Sequence, residues 1–88
     1  MTLLCHTSMI DSVLSDKNLL YTASKDHTIK IWDKNDNFRL VKILHAPSPI
    51  YYVTVDNCHI YASLSDFGSG LIQEQIMVWT LLNDFKFI

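Results

Sequence analysis

The sequence predicts an all-β chain built from two four-stranded antiparallel units, and three observations predict it. The chain repeats itself: at an offset of 40 residues Leu4/Leu44, Ser8/Ser48, Ile10/Ile50, Val13/Val53, Asp16/Asp56, Tyr21/Tyr61 and Asp26/Asp66 are identical. Beyond Asp66 the offset becomes 47, matching Ile29/Ile76, Ile31/Val78, Trp32/Trp79, Phe38/Phe85 and Arg39/Lys86. Short runs rich in β-branched and aromatic residues recur, and none sustains the apolar period of a helix. Clusters of Asp, Asn, Ser and Lys separate those runs, as turns do.

Each strand follows from its own residues. Ile10 to Leu14 and Leu19 to Ser24 flank the turn Ser15-Asp16-Lys17-Asn18. Thr28-Ile29-Lys30-Ile31-Trp32 alternates strictly with period two, as a half-buried strand requires, and follows the turn Lys25-Asp26-His27. Asp33-Lys34-Asn35-Asp36-Asn37 then leads into Phe38 to Leu44. The second unit repeats the order with Ile50 to Val55, His59 to Leu64, Gln75 to Trp79 and Phe85 to Ile88. Pro47 and Pro49 fall between the units, where a missing amide donor costs little.

Composition sets bounds on function. At 88 residues the chain supports one small domain. Hydrophobic residues at 49% and charged residues at 18% supply a core and argue against disorder. A net charge of -2 offers no basic excess, so nucleic acid and anionic membrane are not expected partners. The apolar run Ile50 to Val55 is far short of the roughly 20 residues of a spanning helix. Cys5 and Cys58 are too few for a disulfide framework and read as free thiols of an intracellular, cytoplasmic protein. A period near 40 is that of four-stranded propeller blades, and some helical repeats share it, but the strand patterning decides for blades.

Thr22-Ala23-Ser24-Lys25-Asp26-His27-Thr28-Ile29-Lys30-Ile31-Trp32-Asp33 resembles the WD40 repeat family: the end of one strand, a tight turn, and a strand finishing in Trp-Asp. The resemblance extends over essentially the whole chain and implies two WD40-type blades of a partial β-propeller, residues 1–88, with repeat one at about 6–44 and repeat two at about 45–88. Cys5-His6 stands where the family has Gly-His, a departure, and 25 residues separate His6 from Trp32. In the second unit His45 takes the histidine position, Asp66 the turn position, and Trp79-Thr80 replaces Trp-Asp.

The resemblance implies that His6, Ser24, Asp26 and Trp32 form a structural tetrad in which the turn aspartate and the strand serine hydrogen-bond the histidine. Such a network satisfies polar groups that are costly to bury unpaired. A Ser24/His6/Asp26 hydrolase is the alternative from another class, but no glycine-rich segment follows Ser24 to form an oxyanion hole. In the second unit Leu64 aligns with Ser24, so that network lacks its hydroxyl. The adjacent pairs Cys5-His6 and Cys58-His59 point to opposite faces of a strand and lack ligand spacing, so no metal is expected. With Gly68 and Gly70 as the only glycines, no phosphate loop is present and no cofactor is implied. The reading is therefore non-catalytic.

Phe67-Gly68-Ser69-Gly70-Leu71-Ile72-Gln73-Glu74 is an insertion in the turn of the second unit, on the side where the resemblance implies that partners dock. Met9, Lys25, Ser65, Phe67 and Leu71 are the candidate partner-binding residues, the partners being other proteins. Two blades leave unpaired faces and edges. The chain thus reads as a fragment of a longer propeller, or as a protomer that assembles with copies of itself, three of which would supply six blades. A truncated product without independent function is a further alternative.

Overall fold

The computed structural model describes residues 2–3, 5–66, 73–81 and 84–88, with backbone alone at 65, 66, 73 and 74. Among these are seven strands: β1 (Ile10–Ser15), β2 (Leu19–Ser24), β3 (Thr28–Asp33), β4 (Arg39–His45), β5 (Ile50–Val55), β6 (His59–Asp66) and β7 (Gln73–Thr80). They form a four-stranded sheet, β1-β2-β3-β4, and a three-stranded sheet, β5-β6-β7, each an antiparallel meander. The described residues contain no helix, hence none long and apolar enough to cross a membrane.

The second sheet departs from the expected four strands. Phe87 makes an isolated bridge to Trp79, while the Thr80 amide reaches the Lys86 carbonyl and the Ile88 amide the Val78 carbonyl, at 2.9 and 3.0 Å. This repeats the start of β4, where Leu40 pairs with Trp32. A full β4 uses seven residues, whereas three, 86–88, stand at the equivalent positions of the second unit. The β6–β7 ladder runs further than expected, with Ser65 opposite Glu74 and Asp66 opposite Gln73, so Asp66 lies in a strand and not in the turn. β4 starts at Arg39 instead of Phe38 because Asn37 and Phe38 take φ of 52° and 58°. Two consecutive positive φ values are those of a type I′ turn, closed by the Arg39 amide on the Asp36 carbonyl at 3.0 Å. Asp84 and Phe85, 47 residues on, repeat the pair with φ of 61° and 60°.

Strand parity decides which side chains meet. Tyr21 opposite Ile31 and Ala23 opposite Ile29 place four buried apolar side chains on one face of the first sheet. Ile60 opposite Trp79 and Ala62 opposite Val53 do the same for one face of the second. The two faces pack together into a single core with Leu44, Ile50 and Leu64. Sheets stacked in this way interdigitate their inward residues. The Val53 amide also donates to Ser12 Oγ, at 3.4 Å, linking β5 to β1. The registers of β1–β2 and β5–β6 each slip once, at Ile10/Ser12 and at Ile50/Tyr52, so the same β-bulge recurs 40 residues apart.

Candidate partner-binding face

Four polar side chains close a network at the end of the first sheet where β1 begins and β2 ends. His6 Nδ1 lies 2.8 Å from Asp26 Oδ2, and His6 Nε2 lies 2.7 Å from Thr22 Oγ1. The Trp32 indole N–H donates to the same Thr22 oxygen at 3.2 Å. An ionised carboxylate only accepts, so Nδ1 carries the hydrogen shared with Asp26, and in the neutral ring Nε2 accepts from the Thr22 hydroxyl. The result is a one-directional relay, Trp32 to Thr22 to His6 to Asp26, with each buried group partnered.

The serine is not the residue that meets the histidine. Thr22 and Ser24 share one face of β2, two residues apart, but Ser24 stands at the strand end opposite Ile10. Its hydroxyl donates to the Met9 carbonyl at 2.9 Å and accepts from the Asp26 amide at 3.0 Å. The expected tetrad is thus redrawn: His6, Asp26 and Trp32 are joined through Thr22, and Ser24 braces the turn beside them. The sequence signal for Thr22 was its parity with Ser24 on the strand.

Asp26 is the hub of the turn. Thr28 donates to Oδ1 through its hydroxyl at 2.5 Å and its amide at 3.0 Å, and the Thr7 amide donates to Oδ2 at 3.1 Å. Burial works against the charge, but the bonds from Thr28, His6 and Thr7 outweigh it and hold the carboxyl down at about 2. A second device recurs in both units at the opposite end. Asp16 accepts from the Leu19 amide at 2.7 Å and the Tyr21 hydroxyl at 3.2 Å, while Asp56 accepts from the Cys58 amide at 2.8 Å and the Tyr61 hydroxyl at 2.7 Å. Burial, reinforced by Asp16, pushes the Tyr21 phenol up. The Cys58 amide, together with Tyr61 and the His59 amide, pulls the Asp56 carboxyl down.

Of the expected partner-binding residues, Met9 and Lys25 lie side by side, exposed, with the Lys25 amide on the Met9 carbonyl at 3.0 Å. Ser65 belongs to β6 by its backbone, and its side chain, like Phe67 and Leu71 as a whole, lies outside the described residues. Two residues join the group that sequence reasoning missed. Lys25 Nζ sits 5.9 Å from the centre of the Tyr51 ring, a cation–π contact across the two sheets. Asp11 lies two residues from Met9 in the β1 bulge, and its Oδ2 is shielded from solvent with no hydrogen-bond partner among the described residues. Asp11 and Tyr51 are 40 residues apart, each inside the recurrent bulge, and differ in type, which is why the search for identities passed over them.

Stacked antiparallel sheets with one register recurring in both define an all-β repeat protein of propeller type. Residues 1–33 match the family model described as WD domain, G-beta repeat, which places the first unit, through β3, among the WD40 repeats. The crystal structure of the computationally designed Ika4 protein superposes with a TM-score of 0.74 at 20% identity, over 94% of this chain and 48% of that one. The chain therefore spans about half the length of that structure, and the likeness is one of fold. No curated protein matches the chain.

Proposed function

We propose that the chain is a non-catalytic protein-interaction scaffold, a partial propeller of two repeats at about 6–44 and 45–88 that presents the end bearing Met9, Asp11, Lys25 and Tyr51 to a protein partner. The single observation that carries this reading is the convergence of those four side chains where β1, β2 and β5 meet, around an exposed thioether and a carboxylate oxygen lacking a donor. Interfaces concentrate their energy in apolar anchors ringed by polar groups. Phe67, Leu71 and Ser65 belong to the same surface in this reading. The His6, Thr22, Asp26 and Trp32 relay, braced by Ser24, is a structural element that holds the turn beneath it. A fully buried Ser24 hydroxyl engaged with the Met9 carbonyl supports a brace and not a nucleophile. Free thiols at Cys5 and Cys58 fit a reducing, cytoplasmic setting.

The test is affinity capture followed by quantitative binding. Exchanging Met9→Ser together with Lys25→Glu is expected to weaken a captured protein partner by about tenfold, roughly 1.4 kcal/mol, with the melting temperature unchanged. Phe67→Ser with Leu71→Ser is expected to act likewise. Stoichiometric labelling of Ser24 by a serine-directed phosphonate would overturn the scaffold reading.

A further inference from the structure

We infer that the two uncovered sheet faces bind each other between copies of this chain, head to tail, reproducing between molecules the contact that joins its own two sheets. The template is internal. The face carrying Tyr21, Ala23, Ile29 and Ile31 is covered by the face carrying Ile60, Ala62 and Trp79. By the repeat, the second sheet owns an equivalent of the first of these faces, with Tyr61, Ser63, Ile76 and Val78, and the first sheet owns an equivalent of the other, with Leu20, Thr22 and Trp32. Nothing in the chain packs a second sheet onto either one.

Residues identical in the two units show what covering does. Ile29 is 0% exposed in the internal contact, whereas its counterpart Ile76 is 73% exposed. Val53 is 1% exposed there, and its counterpart Val13 is 61% exposed. Tyr52 beside Ile76, and Leu40 beside Trp32, extend the two open patches as exposed large apolar side chains. Contiguous apolar surface of this kind marks an interaction site. A face of the Trp32 type is what this fold lays on a face of the Tyr61 type, so the occupant is a second copy.

Two features that might obstruct the contact do not. Ala46, the repeat equivalent of His6, packs against the shared core, so the His6 segment belongs to such an interface. Lys30, which stands where the second sheet has Met77, turns its ammonium back onto the Cys5 carbonyl. Because the two faces differ, the contact is heterologous and propagates until a ring closes.

The experiment is sedimentation equilibrium on the chain and on two variants, Val13→Glu and Ile76→Glu, each altered on one open face. The parent chain is expected to assemble, and each variant to weaken that assembly at least tenfold while circular dichroism still reports a β fold. An equimolar mixture of the two variants is expected to form a one-to-one dimer, because the first retains the Ile76 face, the second retains the Val13 face, and the dimer cannot extend. A monomeric parent chain, assembly indifferent to both substitutions, or a mixture that stays monomeric would each overturn the inference. If the glutamates unfold the chain, Val13→Thr and Ile76→Thr are read by the same criteria.

Discussion

At the scale of single residues, Asp26 links the turn to the histidine. Its carboxyl, held at about 2, compares with about 3.9 for an unperturbed aspartate. A depressed folded value means that Asp26 contributes stability above the unfolded value and loses that contribution as pH falls. Denaturant unfolding is therefore expected to weaken between about pH 4 and pH 2, with a shallower slope in Asp26→Asn. At neutral pH, Asp26→Ala is expected to destabilise by roughly 1 to 3 kcal/mol, the range for orphaning a buried hydrogen-bond partner. Thr22→Val removes the joint between Trp32 and His6. In a double-mutant cycle with His6→Ala its effect should be non-additive by about 0.5 kcal/mol or more, and strict additivity would show that the relay is not coupled.

At the scale of elements, the turns show the most local conflict between sequence and conformation. His27, exposed in the β2–β3 turn, has φ of 75°. Its amide is bonded to the Ser24 carbonyl and its carbonyl accepts from Ala46, both independent of the side chain. Glycine adopts this conformation without the Cβ clash. His27→Gly is expected to raise stability by about 0.5 kcal/mol, read as a higher melting midpoint. A fall would mean that the imidazole makes a contact that outweighs the backbone. Phe38, at φ of 58°, is a bulky residue in a region that favours Asn and Gly, and the strand expected from Phe38 starts one residue later for that reason.

At the scale of the whole molecule, one isoleucine in two settings separates intrinsic preference from context. Ile29→Ala in the core is expected to cost about 2 to 4 kcal/mol by transfer and cavity formation. Ile76→Ala, in the Val13→Glu background where an open face is blocked, should stay within about 0.5 kcal/mol. Comparable losses at both sites would mean that the second face is covered within one chain.

The repeat, the strand order and the role of Asp16 and Asp56 as turn acceptors were legible in the sequence, because each rests on residues within a few positions of one another. Parity along β2 put Thr22 and Ser24 on one face, but it carries no information about where along that face a segment 16 residues upstream will land. Only tertiary structure decided that His6 meets Thr22. The fate of Ile29 and Ile76 was equally beyond local pattern: identical residues in equivalent strands differ in burial because a sheet lies over one and not the other. Periodicity determines which side chains share a face; the neighbouring sheet determines whether that face sees water.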